Sequence, residues 1–230
     1  MKYPHLIVLC LCLFMLTLPF ACAEDEERLP QGAATPAPSE AAGWIPLFSP
    51  ENAAHWKNVT DTTEGVFSIK DGVFEVHGKK STRYIAWEKE RFGDFELHVE
   101  FKAPQGANSG IFIRTDPADP VQKGMEIQVF GDYGGAPSKH SSGALYDIAT
   151  PMFNMALPEG SWNSFDIRFE GSQLEVVYNG WKVLSIDISQ MTEPIGKFDT
   201  PLALLPREGY IILQNHEDDL SFRNLWVRRL

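Results

Sequence analysis

Two dipeptides, Asp71-Gly72 and Asn179-Gly180, constrain the fold of this chain more than any other feature, because each joins two short segments rich in β-branched and aromatic residues. Gly65-Val66-Phe67-Ser68-Ile69-Lys70 and Val73-Phe74-Glu75-Val76-His77 flank the first. Leu174-Glu175-Val176-Val177-Tyr178 and Trp181-Lys182-Val183-Leu184 flank the second. A two-residue turn of this type needs positive φ at both central positions, which Asn, Asp and Gly tolerate, so both places predict antiparallel hairpins. Strict alternation over residues 95–102, 165–169 and 124–130 adds half-buried strands, and no window carries a sustained apolar stripe at helical spacing. Many short strands punctuated by Gly, Pro and Asn predict an all-β antiparallel sandwich or jelly roll of two sheets.

The ends of the chain set the domain limits. Lys2, an apolar run over residues 6–18 and Ala21-Cys22-Ala23 read as a secretory signal peptide, residues 1–23, cut after Ala23. The run falls short of the roughly 20 apolar residues a spanning helix needs, so no permanent transmembrane anchor is expected. Acylation at Cys22 is the alternative, against which Pro19 and Phe20 stand where such signals prefer an aliphatic and then a small residue. The protein is expected to be secreted or periplasmic, with a lipoprotein acylated at Cys22 as the alternative. Residues 24–43, acidic and then rich in Pro, Ala and Ser, predict a disordered linker. Residues 44–230 then form one domain, which holds all six tryptophans and none of the three cysteines. Its stability has to come from a hydrophobic core rather than from disulfides. With 31 acids against 20 bases the net charge is -11, which excludes the basic surface that nucleic acid requires.

Alternation also sorts side chains onto faces. Phe95, Leu97, Val99 and Phe101 share a core face, opposite Glu96, His98, Glu100 and Lys102. Asn108, Gly110, Phe112 and Arg114 share a face of the next strand, and Glu126, Gln128, Phe130 and Asp132 stand opposite Ile127 and Val129. Gln214 and His216 pair in the same way near the end of the chain. For any one strand a polar face is ordinarily a solvated outer face. Several such faces lining one groove would gather carboxylates, amides, an arginine and a histidine.

Taken in order, a series of motifs resembles the 3-keto-disaccharide hydrolase domain family. It runs from Trp44-Ile45-Pro46-Leu47-Phe48 and Trp56-Lys57, through Phe92-Gly93-Asp94-Phe95-Glu96-Leu97, Asn108-Ser109-Gly110-Ile111-Phe112-Ile113-Arg114 and Gly124-Met125-Glu126-Ile127-Gln128-Val129. It continues with Gly143-Ala144-Leu145-Tyr146, Trp162-Asn163, Asn179-Gly180, Gln214-Asn215-His216 and Phe222-Arg223-Asn224-Leu225. The resemblance covers residues 44–230 and implies a concanavalin A-like jelly roll, a 3-keto-glycoside substrate and an exported bacterial protein. The closing Arg228-Arg229-Leu230 departs from the family's usual ending, at what is expected to be a sheet edge. Glucanases of family 16 share that fold but use Glu-x-Asp-x-Glu on one strand, where this chain has Glu126-Ile127-Gln128-Val129-Phe130. The carboxylate pair of ordinary retaining hydrolysis is therefore missing from this strand.

A 3-keto sugar does not need that pair. Its C3 carbonyl acidifies the C2 proton, so one base can form an enediolate that expels the C1 substituent before water adds back. The reaction asks for a base near C2, a donor or cation at the C3 oxygen and an acid at the leaving oxygen. Glu126 is the expected base, with Glu100 as its substitute, His216 the acid, and Arg114 the cation. Asn108, Gln128, Tyr146 and Gln214 are the expected sugar-binding residues. Each has a structural reading beside it: Glu100 and Arg114 as an ion pair between neighbouring strands, His216 as a strand-end cap, and Tyr146, Trp87 and Trp162 as core aromatics. No cofactor is expected. A divalent cation stays open, since His98 with Glu100 and the acids Asp116, Asp119, Asp132 and Asp147 have ligand chemistry without EF-hand-like spacing. The partner is a carbohydrate, and the rival function is a carbohydrate-binding module without chemistry.

Overall fold

A computed structural model of the protein describes residues 32–59, 66–78 and 83–230. The expected signal peptide, residues 24–31 of the expected linker and Gly65 of the first hairpin lie outside the described residues. Among the described residues thirteen strands form: β1 (Ile45–Pro46), β2 (Trp56–Asn58), β3 (Phe67–Lys70), β4 (Val73–Val76), β5 (Arg83–Phe92), β6 (Phe95–Lys102), β7 (Asn108–Thr115), β8 (Met125–Phe130), β9 (Asn163–Glu170), β10 (Gln173–Tyr178), β11 (Trp181–Asp187), β12 (Gly209–Asn215) and β13 (Leu220–Arg229). Apart from these there is a single turn of α-helix, Pro50–Ala53, and three short 3-10 turns.

The strands make two antiparallel sheets. An eight-stranded sheet runs β11-β10-β9-β6-β13-β4-β3 with β1 added beside β13, and a five-stranded sheet runs β2-β5-β12-β7-β8. This is an all-β jelly-roll sandwich. Both expected hairpins form, and their turn residues have positive φ, 52° and 76° at Asp71 and Gly72 and 48° and 83° at Asn179 and Gly180. Asn179 does more than turn: its side chain donates to the Met155 carbonyl and to Asn163 Oδ1, both at 2.7 Å, and accepts from Ser164 N–H.

Phe95, Leu97, Val99 and Phe101 face inward from β6, and Ile111, Ile113, Met125, Ile127, Val129, Ile211 and Leu213 meet them from the five-stranded sheet. Each such fully buried side chain contributes roughly 1.5–3 kcal/mol relative to exposure. This layer holds a domain that contains no cysteine.

Three features differ from the sequence reading. Strand β5 carries Ile85-Ala86-Trp87 all buried in succession, so no alternation marks it. Strand β13 is not an edge: it pairs with β1, β4 and β6, and Arg228 and Arg229 lie opposite Glu96 and Phe95. Ala33 and Thr35, within the expected linker, bond to β9 and to the β10–β11 turn. Ala33 N–H donates to the Asn179 carbonyl (3.1 Å), Thr35 N–H to Ser164 Oγ (2.7 Å) and Thr35 Oγ1 to Asp166 Oδ2 (2.5 Å). A stretch without large apolar side chains buries little, but here hydrogen bonds to polar groups of the sheet hold Ala33 and Thr35.

Candidate active site

The outer face of the five-stranded sheet carries the side chains that alternate with the core. Phe112 on β7 pairs with Glu126 on β8, and Gly110 pairs with Gln128. Ile212 on β12 pairs with Phe112, and Gln214 follows opposite Tyr84 of β5. Ala86, Phe112 and Ile212 form a small apolar floor of their own, separate from the main core. Glu126 lies across Gly110: a Cβ there would collide with its carboxylate and come within 3.0 Å of its Cγ. Glycine at 110 thus gives the carboxylate its place.

Glu126 is only 5% exposed. Its partner is Lys197, whose Nζ bonds Oε2 from the loop between β11 and β12. That ammonium is itself largely buried and sits 4.8 Å from the Tyr146 ring centroid, 5.2 Å from Phe112 and 5.7 Å from Phe198. Gln122 holds the loop: its Nε2 donates to the Lys197 carbonyl (2.7 Å) and its Oε1 accepts from Asp199 N–H (3.2 Å). Burial lifts the Glu126 carboxyl above the usual carboxylate range, while Lys197 and, more weakly, His216 pull it back. Burial likewise raises the Tyr84 and Tyr146 phenols, so both remain donors in the neutral range.

Beside this pair opens a cleft of about 470 Å³, lined by Asn108, Gln128, Phe130, Asp132, His140 and Tyr146 among others. That volume falls within the range of small-molecule sites. Gln128 Nε2 donates to Asn108 Oδ1 (2.9 Å), which leaves Gln128 Oε1 buried with no hydrogen-bond partner. Gln214 stands opposite Tyr84, and its Oε1 is buried and unpartnered as well. Two buried acceptors without donors are costly unless a ligand or water satisfies them. Hydroxyl groups are the complementary chemistry.

The expected site residues therefore divide. Glu126, Gln128, Asn108, Tyr146 and Gln214 come together on this face, and His216, exposed just past the end of β12, lies within electrostatic reach of Glu126. Arg114 does not join them. Residues 113 and 114 of β7 together stand opposite Ile211 of β12 in a bulge, and Arg114 has φ of 48° there, so alternation reverses after Ile113. Its guanidinium stacks 3.4 Å from the Phe169 ring on the core side and donates to the carbonyls of Gly93 and Gly171 (both 2.8 Å) and to Asp94 (2.9 Å). Desolvation lowers its pKa to about 10, which still leaves it charged at neutral pH.

Glu100 is also elsewhere, on the outer face of the eight-stranded sheet, where Arg223 Nε and Asn224 Nδ2 donate to it at 2.6 Å each. The expected Glu100–Arg114 pair is not formed; each has other partners. Of the three aromatics, Trp87 is core, whereas Tyr146 lines the cleft and Trp162 lies half-buried under Arg223, 4.1 Å away. Among the described residues no group of three or more His, Cys, Asp or Glu is placed to hold a metal ion. A second cleft of about 340 Å³ is lined by Glu75, His77, Lys102, Asp219 and Ser221, among others. Two of its acids are already engaged, Glu75 by Ser221 and Asp219 by Gly78 N–H.

Sequence reasoning missed Lys197 and Tyr84. Lys197 sits in a loop where no periodicity sorts side chains, and Tyr84 opens the strand whose alternation is hidden.

Comparison with known proteins identifies the family of the chain. The 3-keto-alpha-glucoside-1,2-lyase-like domain matches residues 43–228. A 3-keto-disaccharide hydrolase of Bacteroides thetaiotaomicron is 26% identical over 84% of this chain and 80% of its own length. A solved structure from Parabacteroides distasonis, provisionally designated a glycosyl hydrolase, is 31% identical with a TM-score of 0.69, covering 81% of this chain and 99% of that one. A Bacillus subtilis protein of galectin-like fold, 14% identical over 87% of this chain and 97% of its own, has a TM-score of 0.55 and speaks to the fold alone. With its motifs in order and the match spanning the whole sandwich, the chain belongs to the 3-keto-alpha-glucoside-1,2-lyase-like domain family.

Proposed function

We propose that this protein is an exported enzyme that cleaves 3-keto glycosides, including 3-keto disaccharides, by removing the C2 proton, expelling the C1 substituent and adding water. The observation that carries the reading is Glu126. It is a buried carboxylate with raised proton affinity, set against a single ammonium and flanked by two amide oxygens that lack donors. A base of that kind suits a proton acidified by a neighbouring carbonyl. Lys197 takes the place expected for Arg114, as the positive group at C3. Gln128 and Gln214 accept from ring hydroxyls, Asn108 orients Gln128, and Tyr146 walls the sugar. His216 is the acid at the leaving oxygen. The family description and the name of the Bacteroides relative support the keto-sugar substrate.

Incubating the protein in deuterated water with a 3-keto disaccharide and with its unoxidised parent tests the reading. Release of monosaccharide from the keto substrate, with deuterium at C2 of the product, is expected. Cleavage without label at C2 would replace elimination by direct displacement at C1, and sugar binding without cleavage would make the protein a binding module. Export is checked separately: N-terminal sequencing of the mature protein should begin at Glu24, whereas a lipid-modified Cys22 would show a lipoprotein.

A further inference from the structure

Lys197 is placed for more than charge. Its amine touches the carboxylate of the base, and hydrogen-bond separation is the spacing needed by two groups that act on adjacent carbons, one at C3 and one at C2. Three aromatic rings surround it, and the Gln122 amide fixes its loop, donating to the Lys197 carbonyl and accepting from Asp199 N–H. A desolvated lysine beside a proton acceptor is the arrangement in which an amine attacks a carbonyl. Resting on the keto-sugar reading above, we propose that Lys197 forms a Schiff base with the C3 carbonyl of the substrate, so that the electron sink for C2 deprotonation is a covalent iminium rather than a stabilised oxyanion.

The step balances with groups already present. Lys197 passes one proton to Glu126 and its nitrogen lone pair attacks C3, while the carbonyl π pair moves to oxygen, which takes a proton from the attacking nitrogen to give a neutral carbinolamine. Glu126 gives its proton to that hydroxyl, which leaves as water; the nitrogen lone pair forms the C=N iminium, and Glu126 is a carboxylate again. Glu126 then removes the C2 proton, and the C–H pair forms C2=C3 as the C=N pair returns to nitrogen. The enamine pushes back, C1=C2 forms, the C1–O bond breaks and the leaving oxygen takes a proton. Water adds at C1 with a proton returned to C2, and a second water hydrolyses the iminium to free the amine and the 3-keto monosaccharide. One water is released and two are consumed, so the sum is hydrolysis.

The experiment is reductive trapping. The protein is mixed with the 3-keto disaccharide, treated with cyanoborohydride and analysed by intact mass and peptide mapping, with the unoxidised disaccharide and Lys197→Arg as backgrounds. One sugar-sized adduct on Lys197 is expected, absent from both backgrounds. Lys197→Arg keeps the cation but cannot form the imine, so its turnover should fall by roughly 10³ while its thermal unfolding stays cooperative. Turnover with deuterium at C2 but no adduct, or Lys197→Arg within about tenfold of wild type, overturns the Schiff base and leaves elimination standing. Absence of both cleavage and adduct overturns the Schiff base together with the function it rests on.

Discussion

The two outer faces of this sandwich carry similar kinds of side chain and put them to different ends. On the eight-stranded sheet the carboxylates are answered by neighbours. Glu96 takes Arg168 and Arg228, Glu100 takes Arg223 and Asn224, and Asp166 takes His98 and Thr35. On the five-stranded sheet Glu126 has one lysine, and two amide oxygens beside it have no donor. Paired carboxylates rigidify a surface, even though His98 Nε2 among them is buried without a hydrogen bond, whereas open acceptors beside a cleft are what a ligand can complete. Polarity on a strand face is therefore a poor guide to function until its partners are known.

Exchanging a carboxylate for an amide on each face is the sharpest way to break that contrast. Glu126→Gln keeps the shape and should lower kcat by roughly 10²–10⁴ with KM little changed, because only the base is lost. Glu100→Gln should leave turnover near wild type and cost about 1–3 kcal/mol of stability, since a buried acceptor of Arg223 and Asn224 loses its charge. Steady-state kinetics and denaturant unfolding on both variants would show it. A Glu100 variant as inactive as the Glu126 variant would erase the distinction between the faces.

How far these faces were legible follows from what periodicity records. Alternation at residues 95–102 and 124–130 separated core from outer face correctly, and Asp71-Gly72 and Asn179-Gly180 gave away both hairpins. It could not say that the outer face of β6 carries ion pairs while that of β8 borders a cleft. That difference is made by Arg223, Tyr146 and Lys197, which lie outside the strands in question. Arg114 was misplaced because two residues of β7 face one of β12, and a bulge inverts every side chain beyond it without any mark in the hydrophobic pattern. Strand β5 escaped for the opposite reason, since three buried residues in succession erase the alternation.

Arg114 itself sharpens the comparison as a cation that belongs to neither outer face. Arg114→Met removes the donors to Gly93, Gly171 and Asp94 and keeps some of the packing on Phe169. A loss of about 2–4 kcal/mol is expected from the unsatisfied carbonyls and the broken ion pair, with kcat/KM of the folded protein close to wild type. Urea unfolding monitored by tryptophan fluorescence measures the first and assays below the transition the second. A stable but inactive variant would return Arg114 to the reacting groups.

The smallest expected effect is a pH slope, and it tests whether burial or Lys197 dominates at Glu126. Burial raises this carboxyl above its unfolded value, so between the ordinary Glu pKa of about 4.3 and the raised one the native state holds a proton the unfolded chain has lost. Stability from this group is then full below the unfolded pKa and declines as pH rises through the folded one. Asp132, raised by desolvation, adds a slope of the same sign, and Asp187, lowered to about 2 by its hydrogen bonds to Ser189 and Ser172, adds one of opposite sign. Subtracting Glu126→Gln from wild type removes both, because the variant keeps Asp132 and Asp187 and lacks only the titrating group at 126. Wild type should therefore lose stability relative to Glu126→Gln with rising pH across the weakly acidic range, read from urea midpoints at a series of pH values. A difference that grows in the other direction would mean that the ammonium outweighs desolvation, and Glu126 would then be a permanently ionised ion-pair partner rather than a base poised to take a proton.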